Sequence, residues 1–217
     1  RAPRVMAVLN PIKLVVLNVP AEEVEWLQTV NNPEDPEAGS RALPFGRELW
    51  MEADDFKVDV NKKWFRLAPG RTVRLKSAYI VEYVDHIEDD QGQVLEVHVN
   101  RVANSKSGED TSGVKAKGTL HWVASSHAIK SEVRLYDRLF LSADPEGGED
   151  ANFMNNLNPD SLQILSGCQL EPSLGEATLG TVYQFTRLGY FTVDSKYSKQ
   201  EKLVFNRAVT LKDGWKG

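Results

Sequence analysis

The chain has 217 residues, 41% hydrophobic and 26% charged, with a net charge of −5, and is long enough to bury a core of its own. Its single cysteine, Cys168, excludes an internal disulfide and a Cys-rich zinc site, and fits a reducing cytosol. The acidic balance excludes indiscriminate binding to nucleic acid, whose affinity comes from neutralising phosphates, so any such site must be a local patch.

In chain order, an apolar opening (RVMAVLNPIKLVVLN, 4–18) precedes the Pro-, Asn- and acid-rich stretch Asn31–Ser40, which reads as a loop. Glu52–Phe65 has the best helical character of the chain. Lys57, Lys62, Lys63, Arg66, Arg71, Arg74 and Lys76 follow within twenty residues with Asp59 as the only acid, a local basic patch on an acidic protein. Val73 and Leu75 alternate with Arg74 and Lys76, and Leu95, Val97 and Val99 alternate with Glu96 and His98. Such a period of two predicts half-buried strands, with a hairpin turn at Asp90-Gln91-Gly92 between the flanking β-rich runs. Asn104–Gly113 and Ala143–Asp160 read as further loops. Val133, Leu135 and Leu139 share one strand parity, and Pro159–Leu165 could add a short turn of helix. Many short strands separated by turn signals predict a barrel or a sandwich, not α/β layers.

No constellation carries catalysis. His86, His98, His121 and His127 lack metal-ligand spacing and are assigned structural roles, and no metal is expected. Asp54-Asp55 and Asp89-Asp90 are neighbours that point apart on a strand and suit solvated turns. Trp50, Trp64, Trp122, Tyr190 and Phe191 are assigned to the core. There is no G-x-x-x-x-G-K-[ST] phosphate loop, no secretory signal, and no apolar run near the roughly 20 residues of a membrane span. The expectation is a cytoplasmic protein without a membrane partner.

Six strings carry a resemblance: RVMAVLNPIKLVVLN (4–18), PFGRELWMEADDF (44–56), GTLHWVASSHA (118–128), VRLYDRLF (133–140), YQFTRLGYFTVDS (183–195) and VFNRAVTLKDGW (204–215). In this order they are similar to the C-terminal portion of bacterial-type glutaminyl-tRNA synthetases, over nearly the whole chain. The resemblance implies an all-β fold: two tandem six-stranded β-barrels, like the ribosomal protein that binds 5S rRNA, with exchanged N-terminal strands and a few short helices. The expected division is 1–30 with 126–217 for a proximal barrel and 31–125 for a distal one.

It also implies a task, gripping the anticodon loop of a glutamine tRNA and holding its splayed bases, which suits RNA recognition through unstacked bases. Matched position by position, Arg4, Gln184 and Arg187 correspond to the family's pocket for the middle base, a uracil. Arg66 corresponds to the arginine reading the third base, a guanine, and Arg74 and Lys76 lie near the first. Phe65 and Lys76 depart from the family pattern of lysine and arginine, and lysine cannot reproduce a planar fork. Gln184 and Arg187 would point to opposite faces of an ideal strand, so a shared pocket requires a bend, toward Gly189.

The family's two ATP-handling signatures, HIGH-like and KMSK-like, are absent from the sequence. The chain alone is therefore expected to be non-catalytic and without cofactor. ATP with Mg, and ligase chemistry, would belong to a Rossmann-type half preceding it in a monomeric parent. Alternatives are the barrels of an archaeal- or eukaryotic-type glutamyl-tRNA synthetase and a stand-alone RNA-binding barrel.

Overall fold

The computed structural model describes residues 2–147, 152–199 and 202–211. Its strands in chain order are β1 (Arg4–Val5), β2 (Ala7–Val8), β3 (Pro11–Val16), β4 (Val24–Val30), β5 (Ser40–Gly46), β6 (Glu48–Glu52), β7 (Thr72–Leu75) and β8 (Ile80–Glu88). Then follow β9 (Val94–Arg101), β10 (Thr119–Leu120), β11 (Val123–Ala124), β12 (Ile129–Tyr136), β13 (Leu162–Leu170), β14 (Val182–Phe185), β15 (Gly189–Val193) and β16 (Val204–Thr210). Helical structure among the described residues is limited to short 3-10 turns. None of it is long and apolar enough to cross a membrane.

The strands form two large sheets. One runs β1, β14, β15, β16, β12, β13, β2, the other β10, β7, β8, β9, β3, β6, β11. The two ends of each sheet are halves of one chain segment. β1 and β2 are interrupted only at Met6, and β10 and β11 only at His121 and Trp122. Each sheet is therefore consistent with a six-stranded barrel whose closing strand is kinked. β4 and β5 pair as a separate hairpin, and its Leu27, Leu43 and Phe45 pack into the core of the second barrel.

The barrels share one topology. The kinked segment runs parallel to β14 in the proximal barrel and parallel to β7 in the distal one. In each barrel it pairs antiparallel with its other neighbour, β13 or β6. Segment 4–8 precedes β3 in the chain but closes the proximal barrel, while 119–124 precedes β12 but closes the distal one. The N-terminal strands are thus exchanged, as the family resemblance implies. Exchange also explains the apolar opening of the chain. Val5 and Ala7 lie in one hydrophobic core, Met6 and Val8 in the other. A strand buried on both faces reads as a continuous apolar run instead of alternating.

The proximal core stacks Phe185 on Phe191, with ring centroids 4.1 Å apart, and adds Phe205. The distal core sets Trp122 edge-on to Phe45, and the indole Nε1 donates to the carbonyl of Lys76 at 2.9 Å. Each of these fully buried rings contributes about 1.5–3 kcal/mol relative to exposure. Cys168 is buried in the proximal core, which pushes its thiol up to about 12 and keeps it protonated.

The predicted loops and the 90–92 hairpin turn lie where the sequence puts them, with residues 148–150 of Ala143–Asp160, and Ala151, outside the described residues. Four expectations need correction. The chain crosses between barrels at Leu9–Asn10, not at residue 30, because β3 pairs with β6 and β9 of the distal barrel. Glu52–Phe65 is not a helix. After a 3-10 turn at Ala53–Asp55 it loops out, with Leu67 N donating to Asp55 O and Lys57 N to Leu67 O. Its β-branched Val58 and Val60, and its Asp and Asn residues, disfavour helix, and the ladder with Leu67 competes for its backbone. Leu162–Leu165 joins β13 against β12 and forms no helical turn. Leu95 and Leu139 are exposed although they share parity with core residues. Leu139 lies beyond the end of β12, and Leu95 is on β9, beside the Ile87/Glu88 register shift of its partner strand.

Candidate nucleic-acid interface

Arg4 and Gln184 are direct register partners on the parallel strands β1 and β14. Side chains at paired positions of adjacent strands project to the same face, so the two residues converge. They line a concavity of about 430 Å³ with Asn32, Glu34, Thr181 and Tyr190. That size suits one small polar ligand. The Gln184 amide offers both a donor and an acceptor to a base edge. Tyr190, expected in the core, is only partly buried and presents part of its ring here. Arg4 pairs with the exposed Glu34. Such exposed pairs are worth about 0–1 kcal/mol, so an anionic ligand could displace Glu34 at little cost.

Arg187 is not among the residues lining this concavity. The bend falls at Arg187 itself, which takes a φ of 69° in the tight connection between β14 and β15. Ser77 takes a φ of 59° at the matching position between β7 and β8, so this turn is a property of the shared topology. Turned out of β14, Arg187 reaches the distal barrel. Its Nη1 and Nη2 donate to Asp55 Oδ2 and Oδ1 at 2.6 and 2.7 Å. The hydrogen bond to Asp55 holds the guanidinium in its charged form against the effect of burial.

Arg66 meets the same carboxylate. Its Nε lies 3.3 Å from Asp55 Oδ1, and its Nη1 donates to Asp54 O at 3.0 Å. Its remaining nitrogen, Nη2, has no protein partner among the described residues, and the side chain is 43% exposed. Arg66 therefore keeps donors for a ligand, whereas the fork of Arg187 is spent on Asp55. Asp55 is 2% exposed, which corrects its assignment to a solvated turn. The 3-10 turn at Ala53–Asp55 aims it into the junction between the barrels.

Two further buried groups complete this junction. His121 is 1% exposed, with Nδ1 3.3 Å from Arg187 Nη1 and Nε2 3.3 Å from Glu52 Oε1. Glu52 accepts from the backbone N–H groups of Leu9 and Asn10 at 2.8 and 2.9 Å, fixing the point where the chain changes barrel. In the other barrel, Glu171 accepts from Met6 N at 2.7 Å and pairs with Arg41. Each kinked closing strand is thus braced by a buried glutamate. Sequence reading missed Asp55, Glu52, His121 and Glu171, because a buried carboxylate and a solvated one look alike in sequence.

The structure separates Arg74 from Lys76. Arg74 Nη1 donates to Ser105 O at 2.8 Å and to Ser107 Oγ at 3.1 Å, and Nη2 pairs with Asp110. Its guanidinium braces the 105–110 loop. Arg74 partners Thr119 in the distal barrel as Gln184 partners Arg4 in the proximal one, so the loop fills the place of the Arg4–Gln184 concavity. Lys76 is half-buried, and burial followed by the nearby charges of Arg4 and Arg41 pulls its pKa down. It makes no ion pair among the described residues. Lys76 is thus a half-buried ammonium within electrostatic reach of two guanidinium groups.

Comparison with known proteins supplies the family. Residues 2–102 and 119–194 match two family models, each described as tRNA synthetases class I (E and Q), anti-codon binding domain. Glutamine--tRNA ligase of Rhodopirellula baltica is 49% identical over 215 residues, covering 99% of this chain and 35% of that protein. The Bordetella pertussis ligase is 49% identical over 99% of this chain and 36% of its own length, and that of Vibrio vulnificus 44% over 99% and 38%. The chain thus spans just over a third of the length of the curated relatives it matches. Matched across both barrels, it belongs to the anticodon-binding domain family of the class I (E and Q) tRNA synthetases.

Proposed function

We propose that this chain reads the anticodon loop of a glutamine tRNA as part of a glutamine–tRNA ligase. The observation that supports this most is the gathering of cations on an acidic protein. Arg4 lines one concavity with Gln184, Lys76 lies within electrostatic reach of Arg4, and Arg66 and Arg187 share the Asp55 carboxylate. In this reading the Arg4–Gln184 concavity takes the middle base, and Lys76 with Arg4 takes a backbone phosphate. Arg66 presents its free donors to guanine O6 and N7 at the third position. Arg187 positions Arg66 through Asp55, and Arg74 braces a loop beside the first base.

The matching relatives are named as glutamine ligases, which favours glutamine over the glutamate branch. The parent would attach glutamine to tRNA with ATP and Mg in a Rossmann-type half outside this sequence, as a cytoplasmic monomer. The test is direct titration of the 217-residue chain with a stem-loop carrying the cognate anticodon and with the same nucleotides closed into a duplex. Tight, salt-dependent binding of the loop and weak binding of the duplex are expected, since a duplex hides the base edges. Equal binding of the two RNAs would overturn the reading.

A further inference from the structure

Beside Arg66 lies a second, smaller concavity of about 160 Å³, formed by Trp64, Phe65, Arg66, Arg71, Lys115 and Lys117. The two aromatic residues at its wall are used differently. Trp64 is occupied: Lys57 Nζ and the Arg66 guanidinium lie over its ring at 4.9 and 5.3 Å, and its Nε1 donates to Leu67 O at 3.0 Å. Phe65 is 52% exposed, and its ring meets no aromatic or cationic partner among the described residues. Arg71, Lys115 and Lys117 make no ion pair among the described residues either. An exposed phenyl ring among unpaired cations has the two complements a single-stranded nucleotide needs, a π face for its base and positive charge for its phosphate.

The arrangement is held in place. The Phe65 backbone packs so closely on Gly118 that a Cβ there would lie 1.7 Å from the Phe65 carbonyl oxygen. Only glycine at 118 lets the 64–66 loop rest on the segment carrying Lys115 and Lys117. Phe65 and Arg66 are adjacent in the chain and share one concavity, so a base with its edge against the Arg66 fork would have a face available to the phenyl ring.

We propose that Phe65 is the stacking face, and Lys115 with Lys117 the phosphate contacts, for the same nucleotide whose base edge Arg66 reads. The site takes a purine ribonucleotide in single-stranded RNA. It rests on the reading of Arg66 in the proposed function, and adds to an edge-reading arginine a ring that senses the size of the base. Stacking favours the larger purine face over a pyrimidine, so Phe65 selects base size and Arg66 selects guanine.

The experiment titrates the full chain with the cognate stem-loop, labelled at C8 of the third-position guanine. On binding, the guanine H8 resonance should move upfield under the phenyl ring current. Phe65→Leu, which keeps apolar bulk without a π face, should abolish that shift. Phe65→Ala should weaken the stem-loop by roughly 5- to 150-fold, the range for one stacked base. Both variants should melt with the parent chain, since the side chain is exposed. Lys115→Ala with Lys117→Ala should flatten the slope of log K against log salt by about 0.7 for each phosphate no longer neutralised. If the chain binds the stem-loop in an anticodon-dependent way but H8 does not move, or Phe65→Ala binds as tightly as the parent chain, this inference alone is overturned. If the parent chain shows no anticodon dependence, the proposed function falls and the inference with it.

Discussion

Replacing Asp55 with alanine should lower the melting temperature of the chain by on the order of 10 °C. Asp55 is 2% exposed and faces two guanidinium groups, that of Arg187 through two short hydrogen bonds and that of Arg66 at 3.3 Å. Arg187 and Arg66 keep side-chain exposures of 30% and 43%, so the cost is that of the lost charge-assisted hydrogen bonds, about 1.5–3 kcal/mol each. In a chain of this size each kcal/mol shifts the midpoint by about 2–4 °C. Arg187 belongs to the proximal barrel and Asp55 to the distal one, so the loss also loosens the junction. The partner variant separates these effects. With Arg187→Ala added, Asp55→Ala should cost distinctly less than it does alone, since the two hydrogen bonds between them are already gone. Thermal melts of the two single variants and the double variant decide it. An Asp55→Ala chain that melts with the parent would show that the carboxylate does not hold the junction together.

Arg66→Ala should weaken a stem-loop with guanine at the third anticodon position far more than one with another base there. A bidentate arginine–guanine contact carries about 1–3 kcal/mol of discrimination, which is roughly 5- to 150-fold in relative affinity. The geometry favours Arg66 over Arg187 for this role. Arg66 reaches Asp55 only through Nε and is half-exposed, with Nη2 free, whereas Arg187 commits both terminal nitrogens to the same carboxylate. An Arg66 that contacts only phosphate would behave differently, weakening both RNAs by the same factor, and equal losses would remove it from the reading set.

These two expectations came from the sequence in unequal measure. The Arg66 role follows from its positional match to the family's guanine-reading arginine, and the structure supplies only the free donors. The Asp55 role was illegible. An aspartate beside another aspartate in a polar stretch has the local signature of a solvated turn, and only tertiary pairing with residue 187 buries it. The resemblance matched Arg4 and Gln184 to one pocket, and their partnership across β1 and β14 was not readable from the sequence. Gln184 and Arg187 carried a parity conflict in the sequence alone, and the left-handed residue at 187 turns its side chain out of β14 toward Asp55. Alternation marked Val73, Leu75, Val97, Val99 and Val133 correctly as core. It failed at Leu95 and Leu139, where a register shift and a strand end break the period. The mistaken helix at 52–65 shows the same limit from the other side, since local composition does not record that Asp55 O and Lys57 N bond to Leu67 across the loop. The exchange of strands was implied by resemblance. The opening apolar run is its physical trace, legible only once both of its faces are known to be buried.

The central claim is that this fold distinguishes anticodon bases individually and does not merely attract RNA. One measurement tests it most directly: affinities of the chain for a cognate stem-loop and for its three single-base anticodon variants, at two salt concentrations. The account predicts that the middle- and third-position variants each bind at least several-fold more weakly than the cognate RNA. It also predicts that all four RNAs share nearly the same salt slope, because the phosphate contacts are unchanged while the base contacts differ. Four equal affinities would contradict it and reduce the chain to an electrostatic RNA-binding surface.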